Sequence, residues 1–118
     1  MKLVRYGAFG SEKPGLIDKD GKLRDLSGQI KDLADDAFAP ANLAKLAALD
    51  PASLPAVSGS PRIGSPVGGK PKFIAIGLNY ADHAAESNMP IPSEPIVFMK
   101  ALNSLCGPND DVEKPRGS

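Results

Sequence analysis

The sequence contains one histidine, His83, and places Glu86 three residues after it in the string NYADHAAE. On a helix, residues three apart lie on the same face. A carboxylate beside an imidazole fixes its tautomer, stabilises the imidazolium and raises its basicity, as a general base for water or a substrate proton requires. The same spacing also describes an ordinary solvated His–Glu pair, and exposed pairs of that kind add little stability. Lys100 closes the string FMK, where its ammonium could bind a substrate carboxylate or steady an oxyanion, or simply be solvated at a strand end. Asn79 and Tyr80 stand at the helix entrance and could line a substrate site, although capping and packing account for both.

Two further groupings have the residue types for chemistry. Asp110, Asp111 and Glu113 lie close together in a PNDDVE turn, but adjacent carboxylates in a turn diverge, and a hard cation needs converging oxygens. No metal ligand is therefore assigned. Cys106, the single cysteine, could act as a thiol nucleophile with His83. The bland reading is a small buried hydrophobe.

The elements that must position His83 are short. Phe73–Ile76 is a four-residue apolar run, suited to a strand buried on both faces. Gly77 supplies a turn, Asn79 can cap a helix with Asp82 completing a capping box, and Pro90 and Pro92 end it. These signals set a helix over about Tyr80–Ser87 and a second strand over Pro95–Lys100.

Upstream, Lys2–Tyr6 reads as a strand, and Gly15–Asp18 with Lys22–Leu26 as a hairpin turning at Asp20-Gly21. Pro40 opens a helix with Leu43, Leu46 and Ala47 on one face, and Asp50-Pro51 closes it. Ser58–Lys72 is rich in glycine and proline and reads as a linker. The division is therefore residues 1–57 as a small α+β domain without site-like clusters, 58–72 as linker, and 73–118 as the start of a second domain. The last residues, from Asn103, show no closing element, so the chain looks cut short.

Composition narrows the class. Lys and Arg equal Asp and Glu at 14 each, which gives no basic field for nucleic acid or an anionic membrane. No apolar run is long enough to cross a bilayer, and MKLVRYGAFG is too short and polar for a signal peptide. One cysteine makes no internal disulfide, which fits a reducing cytoplasm.

The string GLNYADHAAE, followed by MPIPSEPIVFMK and GPNDDVEKPRGS, resembles the fumarylacetoacetate hydrolase family. DLSGQIKDLADD and RIGSPVGGKPKFIAIGLNY are similar to the small N-terminal domain of its bacterial members, among them dienedioate isomerases and proteins like ureidoglycolate lyase or acylpyruvate hydrolase. The resemblance covers essentially the whole chain. It implies a β-rich catalytic domain, of which this chain carries the first strand–helix–strand. It also implies a homodimeric enzyme acting as hydrolase, isomerase, decarboxylase or lyase on 2-oxo or β-diketo acids and related small carboxylates. On this sequence the family's H-x-x-E motif falls on His83 as base and Glu86 as orienting acid. Magnesium or manganese is the implied cofactor. Its carboxylate ligands belong to an acidic strand and a later aspartate beyond PRGS, so none is present here, and the 118 residues alone are expected to be inactive. The competing reading is a non-catalytic binding or oligomerisation module.

Overall fold

The computed structural model describes residues 1–69 and 72–117. They form an α+β fold in two compact units, Met1–Gly69 together with Cys106–Ser118, and Lys70–Leu105.

The first unit is built on a three-stranded antiparallel sheet in the order β1 (Lys2–Tyr6), β2 (Lys13–Ile17), β3 (Leu23–Asp25). Lys2 pairs with Ile17 and Tyr6 with Lys13, while Gly15 pairs with Asp25. Proline is unusual in a central strand because it cannot donate to the ladder. Pro14 is tolerated because its carbonyl, which accepts the Leu26 N–H, faces the side where β3 has already ended. The β2–β3 turn falls at Asp20-Gly21, with Gly21 at φ +78, as its sequence implies. Its organiser is Asp18, however. One carboxylate oxygen accepts the Asp20 and Lys22 N–H groups, and the other takes the Arg24 Nε–H at 3.0 Å.

Helix α1 (Pro40–Ala47) starts with proline at its first position, where no N–H is needed. Asp50 then accepts the Ala52 N–H and caps a single 3-10 turn, Pro51–Ser53. The buried face of α1 is carried by Leu46, with Leu43 half-buried; Ala47, expected on that face, is exposed. Leu46 joins Leu16, Leu26 and Leu54 in the core, against which Leu3, Ile30 and Leu49 pack. Leu26 and Leu33 are wholly removed from solvent. Each such side chain gains about 1.5–3 kcal/mol from leaving water.

The glycine- and proline-rich stretch from Ser58, read as a linker, is bound into this unit over its described part; Lys70 and Pro71 lie outside the described residues. Ile63 bridges Tyr6 along β1, while Gly7 donates to Arg62 and Gly64 to Arg5 through backbone N–H groups. Just upstream, Ala56 bridges Arg24 along β3 and Val57 donates to Leu23. Both outer strands therefore have backbone partners over part of their length, which shortens the open sheet edges.

The second unit contains β4 (Ile74–Gly77), helix α2 (Ala81–Glu86) and β5 (Ile96–Met99). The two strands form an antiparallel ladder with Ile74 opposite Met99 and Gly77 opposite Ile96. The expectation that the first of these strands is buried on both faces is corrected. Ile74 and Ile76 are exposed, as are all four residues of β5. A two-stranded ladder has no second layer of its own, so apolar residues on either face stay in solvent.

Candidate functional site

The strand–turn–helix unit fixes where His83 stands. Gly77 is the last residue of β4, and the reversal occurs at Leu78, whose φ is +46. A left-handed conformation at a residue with a Cβ costs of order 1 kcal/mol, and such residues concentrate at functional sites. The expected cap at Asn79 is not formed. Tyr80 occupies the cap position in extended conformation, with no side-chain hydrogen bond to the helix. Asp82 does not complete a capping box; its carboxylate instead accepts the His83 backbone N–H at 2.8 Å within the first turn.

The far end of α2 is more tightly specified. Asn88 adopts φ +52, its N–H donates to the Ala85 carbonyl at 3.0 Å, and the Met89 N–H reaches back to Ala84 at 2.9 Å. That pair of bonds is a Schellman closure, and Pro90 follows it. The string SNMP therefore ends the helix after six residues, leaving one turn between His83 and Glu86. Both side chains are exposed on α2. Among the described residues no hydrogen bond or ion pair joins them, so the structure supplies the shared helix but not a closed dyad.

The other candidates are placed by the same unit. Lys100 follows β5; its backbone N–H donates to the Phe73 carbonyl at 2.9 Å, and its ammonium lies 5.4 Å from the centre of the Phe98 ring. Its side chain is exposed, as are those of Asn79 and Tyr80. Cys106 is exposed too, which corrects the reading of a buried hydrophobe.

Among the described residues, no group of three or more His, Cys, Asp or Glu side chains converges as a metal site requires. The residues present therefore do not fit the magnesium or manganese that the resemblance implies. Asp110 is committed elsewhere: Arg62 donates to both of its oxygens, from Nε at 2.7 Å and Nη2 at 2.6 Å. Asp111 and Glu113 are exposed.

That contact belongs to a charge cluster in the first unit that pattern reading missed. Arg62 also donates to Glu12 at 2.9 Å, Glu12 lies 3.6 Å from Arg5, and Arg5 donates to both oxygens of Asp32 at 2.7 and 3.0 Å. Burial works against ionisation of Glu12, but the Arg62 hydrogen bond and the charges of Arg5 and Arg62 bring its carboxyl below the usual range. Asp110 is lowered by Arg62 first and by the Gly107 N–H second. Arg62 itself is raised, by Asp110 and then Glu12. These partners are far apart in the sequence, and only the Asp-Asp dipeptide hinted at a charged feature.

Comparison with known proteins adds what the chain is similar to. The profile of the family described as "Fumarylacetoacetate (FAA) hydrolase C-terminal" matches residues 72–118, the segment that carries α2 and β5. A protein of Burkholderia multivorans named "Putative hydrolase" is 62% identical over all 118 residues, and one of Burkholderia ambifaria with the same description is 61% identical. The chain spans 42% of the length of each. The crystal structure of a "putative HpcE protein" from Mycobacterium smegmatis is similar along the whole chain, at TM-score 0.66 and 27% identity, again over 42% of that protein. The pattern of the fumarylacetoacetate hydrolase family thus falls on residues 72–118, and relatives described as hydrolases align along the entire chain.

Proposed function

We propose that these residues are part of a metal-dependent enzyme that hydrolyses, isomerises or cleaves 2-oxo or β-diketo acids, with His83 as general base and Glu86 as the carboxylate that orients it. The observation that carries this reading is the capped single turn of α2. It holds an imidazole and a carboxylate one turn apart, in solvent, immediately after a strained strand–helix reversal. An exposed pair with no other partner among the described residues is free to meet a substrate, and an imidazole is the side chain suited to proton transfer at neutral pH.

Lys100 is assigned to the substrate carboxylate, with Asn79 and Tyr80 at the entrance. The metal ligands are assigned to residues other than these 118, as is the cover over the apolar faces of β4 and β5. The first unit serves as a structural one, and β4, α2 and β5 open the catalytic one. The working protein is a cytoplasmic homodimer. The relatives' names as hydrolases favour the enzyme over a non-catalytic module.

The test is turnover of acylpyruvates with added magnesium or manganese, by the 118-residue chain and by a polypeptide of the relatives' full length that contains it. The chain alone is expected to be inactive and the long form active, with activity lost in His83→Ala. Robust turnover by the short chain that His83→Ala abolishes would overturn the division of the site. An active long form indifferent to His83 would overturn the assignment of the base.

A further inference from the structure

The charge cluster in the first unit connects segments that are remote in sequence, and one of its contacts stands apart. Arg5, Glu12, Asp32 and Arg62 all come from the first 69 residues. Asp110 comes from the segment that follows residues 72–105. We propose that Arg62 and Asp110 form a latch that fastens the returning segment Gly107–Asp110 to the first unit, so that this segment is held by a contact separable from the rest of the fold.

Three observations carry it. The Arg62 guanidinium meets the Asp110 carboxylate through two parallel bonds, the geometry that makes Arg–carboxylate pairs strong and specific. The same carboxylate accepts the Gly107 N–H at 2.6 Å, which holds the 107–110 turn in the shape that presents Asp110 to Arg62. Gly107 also lies against the Ile63 carbonyl so closely that a Cβ has no room, and the obstacle is backbone. The segment is thus gripped at both ends of its turn, by charge at Asp110 and by close approach at Gly107.

The latch is separable because Arg62 has other partners. Without Asp110 it keeps Glu12 and the Gly7 carbonyl at 3.3 Å, and Arg5 keeps Asp32. The sheet and its leucine core contain no residue of the returning segment. Losing Asp110 should therefore free residues 107–110 while β1–β3 persist. This inference is independent of the catalytic reading.

The experiment is amide hydrogen exchange followed by mass spectrometry on the full 118-residue chain and on Asp110→Ala, Gly107→Ala and Asp111→Asn. In Asp110→Ala, exchange over 105–113 is expected to rise about tenfold or more, while β1 and β2 stay protected. Gly107→Ala, which leaves every charge in place, is expected to do the same. Asp111→Asn, which alters an exposed neighbour, is expected to change nothing. Unchanged exchange over 105–113 in Asp110→Ala would overturn the latch. So would a uniform rise across all strands or loss of the folded circular dichroism spectrum, since either would make the contact part of the global fold.

Discussion

Arg62 and Asp110 lie 48 residues apart in sequence and meet through paired hydrogen bonds of 2.7 and 2.6 Å. The contact converts a stretch that composition marks as a linker into part of a packed unit. It also removes the first carboxylate of an acidic triplet from any role in holding a cation.

Acid should weaken the first unit. Glu12 and Asp110 have folded pKa values below their ordinary ones, so the stability they contribute is present above about pH 4 and is lost as pH falls through the lowered values. Thermal melts between about pH 7 and pH 2 should show a midpoint that is flat at the upper end and declines below about pH 4. In Asp110→Asn that decline should be shallower. An identical acid limb in both proteins would dissociate Asp110 from the effect.

The leucine core should respond as a single packed cluster. Leu26→Ala removes a side chain with no solvent exposure and should cost about 2–5 kcal/mol in denaturant unfolding. Leu43→Ala, on the half-buried flank of α1, should cost clearly less. Equal losses would contradict the placement of the core.

The bare hairpin of the second unit should behave as an apolar surface. Ile74, Ile76, Val97, Phe98 and Met99 are between 42% and 71% exposed, a density that marks a surface in need of cover. The 118-residue chain should bind an apolar dye such as ANS and associate as its concentration rises. Val97→Lys with Met99→Lys should reduce both effects; dye binding unchanged by the pair would locate the apolar surface elsewhere.

Catalysis, where it can be measured in a polypeptide of the relatives' length, should depend unequally on the two residues of α2. Loss of a general base typically costs about 10²–10⁴-fold in rate, so His83→Ala should fall in that range. Glu86→Gln, which keeps the shape and loses the charge, should cost less and shift the acid limb of the pH–rate profile. A Glu86→Gln enzyme with an unaltered pH profile would show that Glu86 does not tune the imidazole.

What the sequence by itself determined is local. Pro40 and Asp50-Pro51 bracket α1, Asp20-Gly21 turns the hairpin, and Pro90 keeps α2 from continuing, because each acts through its own φ or a bond to a near neighbour. The motif around His83 was legible for the same reason: it occupies a single helical turn. Tertiary structure alone decided the rest. Tyr80 displaced Asn79 at the helix cap because the reversal fell at Leu78 rather than Gly77. Gly64 and Gly68, within the stretch after Ser58, proved to be packing residues, for glycine permits close backbone approach as readily as flexibility. A Cβ at Gly68 would strike the Asp32 carboxylate that Arg5 holds. Asp110 became a latch instead of a candidate ligand because its partner is supplied by a strand-edge segment far upstream. Ion pairs of that span leave no periodic trace in sequence; only the folded backbone brings their charges together.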